Sequence, residues 1–342
     1  MQIKKTSHPT HIELEGELPS ADLLRHRADA LKHLSEHVNL PGFRKGHIPD
    51  NILIERLGEM SILEEMAERA LSEAYPKILE DHVPEEAIGR PEIKITKIAP
   101  NNPLGFHITQ SIVPKFTLPD YTKIATKVLA KNESAGTTVS EADIDNVIEH
   151  LRQERTKISR EQDGESTPPE IDDTFAKSIG NFATLADLRK KIEENLIEEK
   201  KISIESKRRT ALVDALVEAT NVPVPEILLT RESGRLLADT RARLESMGMP
   251  WPDYLEKLGK REEEIKAEQR PQAEKRVRTG LILNAICKKE NLSVTEDAIA
   301  KEVQHIIEHY PGANAESARE YVEDVLMNER VFQFLETGRS SI

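Results

Sequence analysis

Long, highly charged segments with few apolar positions constrain this chain more than any other feature. Residues 184–220 are predicted to form one helix, because Thr184 is a favourable N-cap residue and Asp187 follows three positions later. Residues 223–247 and 251–290 predict a helical hairpin around a Gly-Met-Pro turn. Helices of this kind pack along a single stripe and leave their other faces in water. The sequence therefore predicts an elongated protein that is mostly helical.

The composition limits the class of protein. Among 342 residues, 37% are hydrophobic, 32% are charged and 4% are aromatic. This is too apolar for a disordered chain, yet poorer in apolar and aromatic residues than is usual for a compact enzyme of this length. The length allows two or three domains.

Residues 1–115 predict an α+β domain. Short alternating segments predict the strands of a small sheet, and segments with apolar residues three and four positions apart predict helices. Ser61 and Glu64 have the spacing of a capping box, which predicts a helix start at Ser61. The predicted strands are residues 2–5, 11–16, 93–98 and 106–113, and the predicted helices begin at 19–20, 48–49 and 61.

The remaining residues predict an almost all-α domain over 140–342, reached through an extended connector at 116–139. Residues 160–173 are polar and include proline, glycine and serine, which is typical of a short linker. Besides the long helices described above, helices are predicted at 140–159, 294–309 and 314–335.

The net charge and the number of cysteines indicate the cellular compartment of the protein and the kinds of partner it can bind. The net charge of −13 argues against a general nucleic-acid-binding protein, so any contact with RNA has to be local. The first residues contain no apolar stretch long enough for a signal peptide, and no segment approaches a membrane span. Cys287 is the single cysteine, which excludes an intramolecular disulfide and agrees with a reducing cytoplasm. We expect a cytoplasmic protein without membrane contact.

Two segments match the zinc-protease spacing H-x-x-E-H, and they place the pairs His33/His37 and His305/His309 on helix faces. A catalytic zinc also needs a third ligand and a buried cleft, so a zinc hydrolase is the less favoured alternative and adventitious metal binding is left open. Cys287 lies among aliphatic residues and is expected to be a small buried residue rather than a nucleophile. No phosphate-binding loop or nucleophile elbow is present, and the sequence predicts no cofactor, no metal and no catalytic residue.

The motif LPGFRKGHIPD lies between two predicted helices of the first domain. Arg44 can bind phosphate or carboxylate in a forked geometry, and Lys45 adds a second positive charge. Phe43 offers an apolar or stacking anchor. Gly42 and Gly46 permit backbone angles that other residues resist, so one tip can present all three side chains. On pattern alone, the alternative is an ordinary helix connector with solvated charges.

This motif resembles the ribosome-docking signature of the trigger factor family, Gly-Phe-Arg-Lys-Gly followed closely by proline, here Pro49. Residues 270–283 resemble the family's basic-then-aliphatic helix, 291–296 its turn into the next helix, and 221–225 its Val-Pro helix start. The resemblance implies docking through residues 41–49 on a tunnel-exit ribosomal protein and nearby rRNA. It also implies an ATP-independent chaperone that binds nascent or unfolded polypeptides and prevents misfolding and aggregation. Homodimerisation off the ribosome is left open.

The chain departs from the family pattern in one respect. Members usually carry an inserted prolyl-isomerase domain of the FK506-binding type, which needs on the order of 100 residues. Only residues 160–173 lie between the matching flanks here, and they show no glycine-rich strand pattern. We therefore expect a chaperone without the isomerase domain, and not an enzyme. The alternatives are a prolyl isomerase by family inheritance and a periplasmic holdase, which the docking motif and the missing signal peptide oppose.

The predicted hairpin tip gathers Met247, Met249 and Trp251, the single tryptophan. A hairpin tip has few neighbours, so some of this apolar surface is expected to face solvent, and exposed apolar patches usually mark interaction sites. The resemblance places the tip on one of two arms that enclose the client. We expect the three residues to contact clients. The alternative is that Trp251 folds back and joins the two helices, since large aromatic residues are buried on average.

Overall fold

The computed structural model describes residues 2–83, 86–132, 138–163, 168–310, 312 and 314–338, excluding the side chains of 132 and 159–163. The chain divides into two compact units, one made of Met1–Thr117 and Asn221–Leu281 and the other of Leu118–Thr220 and Ile282–Ile342. The elements in chain order are β1 (Ile3–Ser7), β2 (His11–Leu18), α1 (Ser20–Leu24), α2 (Arg27–His37), α3 (Asp50–His82), β3 (Glu92–Lys97), β4 (Leu104–Ser111), α4 (Tyr121–Asn132), α5 (Glu141–Asp163), α6 (Asp173–Ile179), α7 (Leu185–Ala219), α8 (Glu226–Ser246), α9 (Trp251–Leu258), α10 (Glu262–Glu290), α11 (Glu296–His309) and α12 (Ala315–Thr337).

The first unit contains a four-stranded antiparallel sheet in the order β1-β2-β4-β3. Alternate residues of β2 and β4 face its core, so that Leu14 and Ile108 lie directly opposite each other and are both fully buried. The same core contains Met66 and Ile78 of α3. The α+β fold expected for the first domain is confirmed. The sheet and α3 share one core, and the segment between α2 and α3 is connected to it.

The range α3 contains the two helices predicted here, joined across a kink at Gly58, whose φ of 81° and ψ of 153° are not helical. Ser61 lies inside the helix and donates its hydroxyl hydrogen bond to the Leu57 carbonyl at 2.9 Å. The predicted capping-box start at Ser61 is therefore wrong, because a glycine three residues earlier provides the change in chain direction.

Helices α8, α9 and α10 replace the predicted hairpin of two helices. The second predicted helix is interrupted at Gly259, which ends α9 in the left-handed conformation (φ 63°, ψ 29°). Arg276 of α10 pairs with Glu232 of α8 at 3.1 Å, and Gln269 donates to Thr240 at 3.0 Å. Residues 221–281 belong to the same compact unit as residues 1–117, whereas the sequence placed them in the second domain.

The second unit is helical. Thr184 and Asp187 form the predicted capping box at the start of α7, which confirms that prediction. Near the other end of α7, Arg209 makes a bidentate ion pair with Glu329 of α12 at 2.6 and 2.8 Å. The Arg209 guanidinium lowers the pKa of the Glu329 carboxyl from its ordinary value, because the hydrogen bonds favour the charged form.

Two helices of the second unit lie where no helix was predicted. The extended connector expected at 116–139 contains α4, whose Tyr121 is buried and donates a hydrogen bond to Glu290. Burial and this carboxylate raise the pKa of Tyr121 to about 12. The linker expected at 160–173 reaches the start of α6, which buries Phe175; its residues 164–167 lie outside the described part of the chain. None of the described helices combines the length and apolar character needed to cross a membrane.

Candidate functional site

The 41–49 loop connects α2 to α3 and is held at its base by one buried serine. Ser35 of α2 is 7% exposed. Its carbonyl accepts from the amide of Gly46 at 2.8 Å, and its hydroxyl oxygen accepts from the amide of Ile48 at 3.2 Å. Ile48 is buried in the core, and Leu40 packs partly buried against it. The two ends of the loop are therefore fixed while its centre projects outward.

Two glycines shape the centre of this loop. Gly42 has a φ of 90° and Gly46 a φ of 78°, values that an L side chain rarely adopts. The amide of Phe43 donates to the Leu40 carbonyl at 3.2 Å, and the amide of His47 donates to the Arg44 carbonyl at 3.0 Å. The loop thus consists of two successive turns, and glycine is required in each for conformation rather than for space.

The side chains between the two glycines are exposed. Phe43 is 39% exposed, which is unusual for a residue with this much apolar surface, and Arg44 and Lys45 are exposed beside it. Neither cation has a carboxylate within ion-pair distance among the described residues. The predicted juxtaposition of Phe43, Arg44 and Lys45 is present in the structure. The tip can offer an apolar ring and two cations to a ligand without first breaking internal pairs.

An ion pair joins the helices on either side of the loop. Arg27, at the start of α2, binds Glu59 of α3 through two hydrogen bonds, one of them from Nη2 to Oε2 at 3.1 Å. The hydrogen bond from Arg27 lowers the pKa of the Glu59 carboxyl and raises that of the guanidinium. Glu59 directly follows the Gly58 kink, so the pair ties the bend of α3 to α2.

The three candidate residues of the hairpin tip, residues 247–251, differ in their exposure to solvent. Met247 is 75% exposed, and Met249 is half-buried. Trp251 is only 5% exposed, and its Nε1 donates to the Glu262 carboxylate at 3.0 Å. Exposure of Trp251 at this tip is therefore a wrong expectation. The indole begins α9 and turns inward because Glu262 of α10 offers an acceptor for its only polar atom.

The two histidine pairs make local contacts. Within each pair the second histidine directs Nδ1 at the carbonyl of the first at 2.9 Å. His33 also contacts Glu65 at 2.9 Å, but neither pair belongs to a cluster of three metal-ligating side chains in the described part of the chain.

Cys287 is buried, as expected. Its thiol donates to the Leu292 carbonyl at 3.3 Å, and burial raises its pKa.

Sequence reasoning missed Ser35, the residue that positions the loop. A signal was available, because Ser35 follows Leu31 by four positions and so lies on the apolar stripe of its helix. A hydroxyl at a buried helical position needs a partner, and the nearest backbone amides without helical partners belong to the following loop.

Two motifs of the second half lie next to helix starts, and the third lies inside a helix. Residues 221–225 precede α8, residues 270–283 lie within α10, and residues 291–296 lead into α11, whose N-cap is Thr295.

Comparison with known proteins assigns the family. The family model described as bacterial trigger factor protein (TF) matches residues 1–151, and that of the bacterial trigger factor C-terminus matches residues 184–335. Among curated relatives, the trigger factor of Frankia casuarinae is 26% identical over 98% of this chain and 86% of its own length. That of Anoxybacillus flavithermus is 25% identical over 82% of this chain and 84% of its own length.

A solved structure has the same fold. It comes from work on promiscuous substrate recognition by the trigger factor chaperone, has a TM-score of 0.54 and 18% identity, and covers all of both chains. The two matched sequence ranges together span most of the chain and include both the 41–49 loop and the hairpin tip. The chain belongs to the trigger factor family.

Proposed function

We propose that this protein is an ATP-independent chaperone that docks on the bacterial ribosome through the 41–49 loop and holds nascent or unfolded polypeptides. The observation that carries the proposal is the loop tip, where Phe43, Arg44 and Lys45 are exposed together between two glycines with positive φ. The trigger factor family assignment supports the same function. We place the protein in the cytoplasm, where ribosomes are found.

The loop chemistry suits a ribosomal surface made of RNA backbone and protein. Arg44 can form two parallel hydrogen bonds to a phosphate or carboxylate, while Lys45 adds a mobile charge. Phe43 supplies the aromatic anchor that often dominates a small interface. The chain as a whole has a net charge of −13, so its basic tip is attracted to polyanions while the rest is repelled. Docking is therefore oriented.

We place one client contact at the hairpin tip, on Met247 and Met249. A thioether side chain is flexible and polarisable, which suits a surface that accepts many sequences. Met247 has three quarters of its surface in solvent, so it can contact a client without rearrangement. Trp251 supports the tip from within and does not itself contact clients, since it is buried.

We also propose that the protein lacks prolyl-isomerase activity. Residues 152–183 separate the two matched family ranges, and much of this interval is taken up by the end of α5 and by α6. Such an interval is far below the size of a separate domain. Protein that still slows client aggregation should leave the isomerisation rate of a proline peptide at background.

Co-sedimentation with ribosomes tests the docking proposal. Replacing Phe43, Arg44 and Lys45 with alanine should abolish sedimentation and leave the helical circular-dichroism signal unchanged, because exposed tip residues contribute little to folding. The matched control replaces Leu24, Arg25 and Lys32 with alanine, which removes one apolar side chain, one arginine and one lysine from exposed positions of α1, its C-cap and α2.

Wild-type and control proteins should both bind, and binding should weaken as salt is added. Undiminished binding by the loop variant, or an equal loss in the control, would contradict docking through this loop.

A second comparison tests the client contact. Met247→Ser should weaken the suppression of client aggregation, because it removes apolar surface that is available to the client. Met60→Ser is the matched control, since Met60 of α3 is also exposed, at 50%, but lies away from the hairpin tip in sequence. Equal aggregation suppression by the two variants would remove Met247 from the client surface.

A further inference from the structure

A second cluster of chemically active side chains lies at the hairpin between β1 and β2. His8, His11 and Glu13 each offer one ligand-type atom, and these three atoms lie within 4.8 Å of one another. The Nε2 atoms of His8 and His11 lie 3.8 and 3.6 Å from the Glu13 carboxylate. The H-x-x-E-H spacing of a helix does not describe this set, because its members meet across a hairpin.

The sheet geometry brings the three together. The amide of His8 donates to the His11 carbonyl at 2.9 Å, which closes a two-residue turn formed by Pro9 and Thr10. His8 and His11 therefore lie opposite each other, with ring centroids 4.3 Å apart and nearly parallel planes. Glu13 follows His11 by two positions in β2 and so lies on the same face.

The core and the ligand set use opposite faces of β2. Ile12 and Leu14 alternate with His11 and Glu13 and are fully buried, which fixes the register of the strand. A register shift of one residue would expose both apolar side chains, so the positions of His11 and Glu13 are set by the core. The side chain of Thr10 contacts Nδ1 of His11 at 3.3 Å and helps to orient the ring.

One polar atom in this cluster has no partner. Nε2 of His8 is shielded from solvent and makes no hydrogen bond to any described residue, and its distance from Glu13 is too long for one. A shielded, unpaired imidazole nitrogen is costly unless a ligand binds to it. An acceptor of lone pairs fits this position, because the neighbouring imidazole and carboxylate can offer lone pairs to the same ligand.

We propose that His8, His11 and Glu13 bind a divalent transition metal of the Zn²⁺ type. Two imidazoles and one carboxylate are ligands that Zn²⁺ prefers, whereas Ca²⁺ and Mg²⁺ prefer oxygen alone. Metal–ligand bonds of about 2.0–2.1 Å in a tetrahedral arrangement separate ligand atoms by about 3.4 Å. The two nitrogen–carboxylate distances, 3.8 and 3.6 Å, are a few tenths of an ångström longer than this value. The two imidazole rings must also rotate out of their stacked arrangement so that both Nε2 atoms point at the metal. The fourth position remains open to water.

The bound metal joins the edge strand β1 to β2 at the closed end of their hairpin. Strand β1 is one of the two edge strands of the sheet, so its pairing is less protected than that of the inner strands β2 and β4. Metal binding should therefore stabilise the folded first unit, since the three ligands are assembled only when the hairpin is formed.

Zinc competition with a chromogenic chelator tests the site, using the full-length chain without a histidine tag. The wild type should bind one equivalent tightly, and Zn²⁺ should raise its melting temperature. His8→Ala, His11→Ala and Glu13→Gln should each weaken binding by at least about tenfold, since even changes next to a ligand cost that much. Each variant should melt like the wild type in the presence of a chelator, because the three side chains are not part of the core.

The other two histidine pairs provide matched controls. His33→Ala/His37→Ala and His305→Ala/His309→Ala should keep the wild-type zinc affinity, because neither pair belongs to a three-ligand cluster in the described residues. Co²⁺ should give the visible absorption of a tetrahedral site in the wild type and in both controls, and lose it in His11→Ala. Unchanged affinity in the three hairpin variants, or an equal loss in a control pair, would overturn the site.

Discussion

The 41–49 loop and the hairpin tip contain similar residue types, but the aromatic residue is exposed in the loop and buried at the hairpin tip. Both contain a glycine with positive φ, an aromatic residue and a proline. Phe43 is 39% exposed, whereas Trp251 is 5% exposed. In the loop, Ser35 holds the backbone at its base and the ring of Phe43 remains partly exposed. At the hairpin tip, the chain continues into α9 and α10 and supplies Glu262 as a partner for the indole.

The comparison shows that glycine and proline predict where the chain turns but not which side chains remain exposed there. Exposure depends on whether a later segment returns to cover the turn. The following predictions test this difference between the two tips, from the largest expected effect to the smallest.

Trp251→Ala should have the largest effect on stability. It removes a buried indole that packs near Tyr254, with ring centroids 5.6 Å apart, and should lower the free energy of unfolding by about 3–5 kcal/mol. Urea unfolding followed by circular dichroism gives this value. Met247→Ala is the control at the same tip and should stay within about 0.5 kcal/mol of the wild type, because its side chain is exposed.

Fluorescence of the single tryptophan tests the burial of Trp251 independently. Emission should be blue-shifted and shielded from quencher, as expected for a buried indole. Red-shifted, readily quenched emission would mean that Trp251 is exposed and that the two tips are alike after all.

Ser35→Ala should have an intermediate effect and should act on the other tip. It leaves the amide of Ile48 without its hydrogen bond in a buried position, which costs about 1–3 kcal/mol. The loop should also lose its fixed geometry, so ribosome binding should weaken while Phe43, Arg44 and Lys45 are all still present.

The matched control for this change is Ser61→Ala. The hydroxyl of Ser61 donates only to the Leu57 carbonyl of its own helix, so its removal should change stability by less than about 0.5 kcal/mol. Full ribosome binding by Ser35→Ala would show that the loop does not depend on its base.

The ion pair between Arg27 and Glu59 should have the smallest effect, and that effect should depend on pH. The pKa of Glu59 is lower in the folded protein, so its contribution to stability is present above the ordinary carboxyl pKa of 4.5 and is lost as pH falls through the folded value. Both side chains are more than a third exposed, so the ion pair should contribute less than about 1 kcal/mol to the free energy of unfolding.

The difference in unfolding free energy between wild type and Glu59→Gln, measured at several pH values, checks this expectation. The difference should be largest near neutral pH and disappear in acid. A difference that grows as pH falls would have the wrong sign for a carboxylate stabilised by an arginine.

Sequence patterns predicted the features that depend on local chemistry. The capping box at Thr184 and the turns at Gly42 and Gly46 follow from hydrogen bonding and φ preferences within a few residues. Helix α4 also had a signal, since Tyr121 and Ala125 are buried one turn apart, but the connector region was predicted to be extended.

The missed features depend on residues far apart in the chain. Helix α6 has only seven residues, too few for a periodic pattern, and it is stable because Phe175 is buried among residues of α5 and α7. The inward turn of Trp251 depends on Glu262, and the three ligands at the β1–β2 hairpin meet only when the strands pair. Local patterns carry no information about such partners.

The buried Cys287 has a consequence for covalent chemistry at the protein surface. Unfolded polypeptides expose their own thiols, and a thiolate on the surface that holds them would exchange into mixed disulfides. The single cysteine of this chain is buried, and its raised pKa keeps it in the unreactive thiol form. The protein can therefore hold thiol-bearing chains without becoming covalently linked to them. For the same reason, a cysteine introduced at position 43 or 247 would be the preferred site for a thiol-reactive probe.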